Sequence, residues 1–127
     1  MKDKRPVYLS VNPLQFNFPI AALASIAHRI SGVLLLVALG YFLYLLALAL
    51  PSPAGFEEAR AMLSEPIHQV VLFLCMSAVI YHFILGVKHI LLDFHIADTL
   101  AGSRRLTIAC LAIFVVCEGA LGVWIWQ

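Results

Sequence analysis

From Ile30 to Leu50 the chain reads ISGVLLLVALGYFLYLLALAL, 21 residues without a charge, ended by Pro51. An α-helix rises ~1.5 Å per residue, so about 20 apolar residues cross a hydrocarbon core ~30 Å thick. Two further stretches have the same character. Pro66 to Val87 gives 22 residues without Asp, Glu, Lys or Arg, and Leu106 to Gln127 gives 22 with one charge, Glu118. In lipid, a segment of this length satisfies its backbone hydrogen bonds internally only as a helix. The expected fold is an all-α integral membrane protein with three transmembrane helices, at about 21–50, 66–93 and 104–126. Residues 1–127 then form a single transmembrane domain.

Composition supports this reading. Of 127 residues, 63% are hydrophobic and 12% are charged, with a mean hydropathy of +0.99. A soluble domain of this size needs more polar surface, so the apolar excess faces lipid. A net charge of +1 offers no basic patch for nucleic acid. Cys75, Cys110 and Cys117 lie inside apolar runs, form no C-x-x-C pair and read as small apolar residues. The basic start, Lys2 to Arg5, leads into a polar, proline-containing stretch, so no cleavable signal peptide or transit peptide is expected.

Lys and Arg in the flanks set the expected orientation. The N-terminal side holds Lys2, Lys4, Arg5 and Arg29. The second connection is expected to hold Lys88, Arg104 and Arg105. The first connection, Pro51 to Glu65, holds Arg60 with Glu57, Glu58 and Glu65, and includes a short run that could be helical. The N-terminus is therefore expected on the cytoplasmic side and the C-terminus on the outer side. Trp124 and Trp126 would anchor the outer interface. A chain of three helices is too small to shelter a polar interior alone, so a partner chain is expected.

An ionisable group within a bilayer costs roughly 2.5–3.5 kcal/mol on insertion scales. Such groups concentrate in two places. The first is Ser25-Ile26-Ala27-His28-Arg29-Ile30-Ser31-Gly32. Ser25 and Arg29, four apart, share a helix face. A hydroxyl beside a guanidinium suits a carbonyl or carboxylate at the membrane edge, and Gly32 leaves room for a flat group to approach. The competing reading has Arg29 snorkelling to headgroups and His28 resting in the interface.

The second place is Tyr81-His82, then Gly86, Lys88, His89 and Asp93. Helical periodicity puts His82, Gly86, His89 and Asp93 on one stripe, with His82 deepest. A neutral imidazole there can ligate a haem iron, or it can make an interhelical hydrogen bond. The chain offers no convincing second haem ligand, since His68 lies near the other end of the second span and His95 in the second connection. Glu118, on the third span, is either part of a proton path or buried against a partner. There is no nucleophile–base pair, phosphate loop or H-E-x-x-H.

With these residues in view, the chain resembles the cytochrome b membrane anchor of succinate dehydrogenase, respiratory complex II. The likeness runs from Arg5-Pro6-Val7 into the third span. It is strongest in Ser25-x-x-His28-Arg29-x-Ser31-Gly32 and His82-x-x-x-Gly86-x-Lys88-His89-x-x-x-Asp93. Ser52-Pro53-Ala54-Gly55-Phe56-Glu57 resembles the ubiquinone-reducing bacterial branch.

The resemblance implies roles. His82 would be the axial iron ligand of haem b, with the second imidazole supplied by another anchor subunit. Ser25 and Arg29 would bind ubiquinone, and His28 and Arg29 would contact haem propionates. His89 and Asp93 would be structural or would relay protons. Lys88 stands where the family usually has Arg, keeping the charge without the bidentate fork. The implied partners are the second anchor, an iron–sulfur subunit and a flavoprotein, in a bacterial inner membrane. The implied setting is electron transport from the tricarboxylic acid cycle. A fumarate reductase-type anchor, a haem-free quinone anchor, and a small structural or transport protein are the alternatives.

Overall fold

The computed structural model describes residues 18–127. Lys2, Lys4 and Arg5, used for the orientation, and Arg5-Pro6-Val7 lie outside the described residues. Four helices follow in order: α1 (Ile20–Ala49), α2 (Pro53–Leu63), α3 (Pro66–Asp93) and α4 (Leu100–Trp126). Three of them, α1, α3 and α4, are long and apolar enough to cross a membrane.

Local chemistry sets the helix ends. Pro19 precedes α1 in an extended conformation, and its carbonyl accepts from the amides of Ala22 and Leu23 at 2.9 and 3.2 Å. Pro51 follows the α1 C-cap, Leu50, and cannot continue the helix. The Ser52 side chain caps α2 by accepting from the Gly55 amide at 3.0 Å, with proline in the first turn, a favoured start. α2 makes most of the expected first connector a helix.

α4 starts at Leu100, earlier than the position near 104 expected from the apolar run. The Thr99 hydroxyl accepts from the Gly102 amide at 3.0 Å, so a capping signal starts the helix before its apolar stretch. The short connection from α3 to α4 turns through positive φ at His95 and Ala97. Arg104 and Arg105 are thus exposed residues of the early α4 helix.

The three spans run antiparallel in succession. His82, late in α3, meets His28 and Ser31, early in α1. Tyr41, later in α1, meets His68, early in α3, with Oη 3.2 Å from Nδ1. Phe73 of α3 touches Trp126 at the end of α4. α3 lies between α1 and α4 and carries most of the contact to each.

The interior is thin and built from small groups. Ala24, Leu85 and Cys110 form a buried cluster, with Tyr81, Ile84 and Leu106 packed on it. Small residues let helix backbones approach closely, which is how spans associate when lipid is as apolar as leucine. Large apolar side chains point outward instead: Leu36, Phe83 and Val116 are each at least 70% exposed. Cys75 and Cys110 are buried and Cys117 is half-buried, and all three are free thiols.

Lys88 departs from its expected place. It belongs to α3, is 1% exposed, and has the Cys110 thiol as an electrostatic neighbour. It is therefore not a flanking charge of the second connection. Helical periodicity turns it away from His82 and toward α4. The basic residues left at that end are Arg29, Arg104 and Arg105 among the described residues.

Candidate functional site

The first half of α1 and the second half of α3 border an open cleft of about 510 Å³ lined by Ser25, His28, Arg29, His82, Gly86, His89 and Ile90. On α1, Ser25, His28 and Arg29 fall within one helix face; on α3, His82, Gly86 and His89 do the same. The two polar clusters of the sequence thus meet across one helix–helix seam. Asp93 is not among the lining residues. It is the last, exposed residue of α3, though its charge and that of Arg29 both act on His89.

His82 is held on three sides. Its ring stacks on His28, with centroids 4.1 Å apart and planes 13° from parallel. Its Nδ1 lies 3.0 Å from Ser31 Oγ and 3.2 Å from the His28 carbonyl oxygen. The Ser31 hydroxyl itself donates to that carbonyl at 2.7 Å. Its single hydrogen is therefore committed. Ser31 Oγ must accept from Nδ1–H, as the His28 carbonyl must. Both contacts select one tautomer, protonated at Nδ1 and with a free lone pair on Nε2. A histidine whose Nδ1–H is bound in this way has the orientation and basicity of a metal ligand through Nε2.

Two glycines frame the ring. A Cβ at Gly32 would stand 3.1 Å from His82 Cε1, so the flat group that Gly32 admits is the His82 imidazole. A Cβ at Gly86 would meet His28 Nε2 at 3.6 Å. That nitrogen is buried and has no hydrogen-bond partner among the described residues. His28 also meets His89, with centroids 5.0 Å apart. A buried polar atom without a partner, beside a histidine presenting Nε2, fits a site that takes a large polar cofactor. Haem would fit both, its iron taking a nitrogen lone pair and its propionates taking nitrogen donors at the edge of the site. Among the described residues no three His, Cys, Asp or Glu side chains converge to bind a free metal ion.

Ser31 stands in the sequence only as a motif member. Its signal is a hydroxyl three residues after His28, at the spacing that allows a back-bond to the helix carbonyl. Tyr81 also has a definite position: its hydroxyl donates to the Ala24 carbonyl at 3.2 Å, and its ring meets Phe114 edge-on. It ties all three spans together just before His82. His68 is paired with Tyr41 at the opposite end of the bundle, and His95 pairs with Asp98 at 3.4 Å on the surface. Neither approaches His82. Glu118 accepts from the Ser77 hydroxyl at 2.5 Å, while its Oε1 is buried without a partner among the described residues.

Comparison with known proteins identifies the family of the chain. The family model described as succinate dehydrogenase/fumarate reductase transmembrane subunit matches residues 1–120. The succinate dehydrogenase cytochrome b556 subunit of Coxiella burnetii (strain RSA 493 / Nine Mile phase I) is 32% identical over 133 aligned positions, covering 99% of this chain and 100% of that protein. The chain belongs to the succinate dehydrogenase/fumarate reductase transmembrane subunit family.

Proposed function

We propose that this chain is the cytochrome b anchor of a succinate:ubiquinone oxidoreductase in a bacterial inner membrane. It binds haem b together with a second anchor subunit. It also docks the iron–sulfur subunit, which carries electrons from the flavoprotein, and forms part of the ubiquinone-reduction site. The observation that carries this reading is the committed Ser31 hydroxyl, which leaves Nε2 of His82 as the free nitrogen. The name of the Coxiella relative, a cytochrome b556 subunit, points to the same cofactor.

In this reading His82 Nε2 would hold the iron of haem b. Haem b, when bound, supplies a one-electron store and a link between the two anchor chains. His28 and Arg29 would hold its propionates. Arg29, exposed at the rim of the cleft, also stabilises a quinone oxygen as negative charge develops on it, and Ser25 positions the ring by a hydrogen bond. His89, tilted against His28, supports that ring, and Asp93 supplies a charge at the edge of the site. The end of the bundle carrying Arg29, Arg104 and Arg105 faces the cytoplasm, consistent with the positive-inside bias. This anchor serves the enzyme complex without carrying succinate oxidation itself.

The test is the optical spectrum of the purified complex with His82→Leu. The b-type haem bands should disappear while the flavoprotein and iron–sulfur subunits still oxidise succinate with a soluble dye. Bands of undiminished intensity in that variant would remove His82 from ligation.

A further inference from the structure

Lys88 is a buried cation that the proposed activity leaves without a task. It is 1% exposed and, with Leu85 and Thr107, is among the largest fully buried side chains. Depth does not force this burial. Lys88 lies near the end of α3 at Asp93, and a lysine stem close to a helix end can snorkel to water. Helix α4 closes over it instead. Thr107 and Cys110 of α4 are buried as well, and the Cys110 thiol is an electrostatic neighbour of the ammonium. The Thr107 hydroxyl turns back to the Ser103 carbonyl at 2.7 Å. Among the described residues no carboxylate pairs with Lys88.

A buried charge is screened much less than an exposed one and acts at longer range. Lys88 adjoins His89 in the chain, and its charge acts on the rings of both His89 and His28. Those rings line the cleft from its two helices, and His28 stacks on His82. Arg29 adds a second cation that acts on His89, and it too forms no ion pair among the described residues. Asp93 is the carboxylate acting on His89, but it is exposed at the helix end, where water screens it. The histidine cluster is therefore biased toward positive charge. Such a bias favours whichever state of a bound group is more negative, and a haem gains one negative charge on reduction.

We infer that Lys88 is a buried countercharge that favours the reduced state of the haem proposed above and so raises its reduction potential. The inference rests on that haem reading. The task needs a charge and not a bidentate fork, so a lysine suffices.

The experiment is an optical redox titration of the b-type haem bands in the whole purified complex. Lys88→Met keeps an unbranched stem and removes the charge. At undiminished haem content, its haem should hold an electron about tenfold less tightly, which lowers a one-electron potential by about 59 mV. Lys88→Arg, which keeps the charge, should stay close to the parent. Should Lys88→Met fail to assemble, Cys110→Asp decides, because it sets a carboxylate beside the same ammonium and should also lower the potential; Cys110→Ser is its neutral control. A merely structural role would change haem content or thermal stability and leave the potential of the remaining haem where it was. An unchanged or raised potential in Lys88→Met, or an equal fall in Lys88→Met and Lys88→Arg, would overturn the inference and leave the haem reading intact. A parent complex without b-type bands would overturn both.

Discussion

The Ser31 hydroxyl oxygen stands 3.0 Å from Nδ1 of His82, and its own hydrogen is spent on the His28 carbonyl 2.7 Å away. A buried serine and a backbone carbonyl thus act together on the free nitrogen of a histidine on another helix. The carbonyl of His28 also reaches Nδ1, at 3.2 Å, so the tautomer is chosen twice. The serine contributes orientation more than tautomer identity.

Ser31→Ala should therefore keep a b-type spectrum but loosen the cofactor. Loss of a partner to a metal-bound imidazole costs about 10- to 100-fold in metal affinity. Haem-to-protein ratio after dilution and gel filtration measures this. The midpoint potential should shift as well, because the ligand nitrogen becomes less basic. Unchanged retention and potential together would assign the orienting role to the His28 carbonyl alone.

Gly32→Ala places a methyl group 3.1 Å from His82 Cε1. The ring is stacked on His28 and tethered at Nδ1, so it cannot yield without tilting. The variant should bind haem less fully and show altered low-spin signals in electron paramagnetic resonance. Gly40→Ala, on the same helix with nothing within 4 Å of the added methyl, is the control and should leave both readouts unchanged. Matching behaviour of the two variants would detach Gly32 from the site.

The fold is largely legible in the sequence because bilayer physics leaves few choices. Length without charge, as in Ile30–Leu50, is nearly sufficient for a span. The features that differ from expectation depend on neighbours or caps. Lys88 reads as a flanking charge because hydropathy counts charges along the chain and does not register α4 folding over that face. The start of α4 at Leu100 depends on a threonine cap and not on hydropathy. Asp93 returns to the His82 face in helical angle, yet three turns of rise carry it to the exposed helix end. The convergence of Ser25, His28, Arg29, His82 and His89 can be anticipated face by face. The stacking of His28 on His82 cannot, because it depends on how closely α1 and α3 approach at Gly32 and Gly86.

Arg29→Leu should reduce quinone reduction by about 10²- to 10³-fold, the usual cost of removing a donor to developing negative charge. Ser25→Ala, which removes a neutral hydrogen bond, should cost about tenfold. Both variants should retain dye-coupled succinate oxidation, which does not pass through this cleft. Steady-state assays with a short-chain ubiquinone and with a soluble dye separate the two. Parallel loss of both activities would point to failed assembly.

Ser77 and Glu118 join α3 to α4 within the apolar spans through one hydrogen bond of 2.5 Å. Interhelical bonds in lipid average about 0.6 kcal/mol and reach about 1.7. Ser77→Ala and Glu118→Leu, singly and together, should give a coupling in that range when thermal inactivation of the solubilised complex is followed. Glu118→Gln keeps a carbonyl acceptor for the serine and should preserve most of the coupling. Ser77 lies more than a helical turn before His82, and its bond points to α4, so the haem bands should be the same in all of these variants. A zero coupling would mean that the Ser77 bond adds nothing across the seam and that the buried, unpartnered Oε1 is the part of Glu118 that matters.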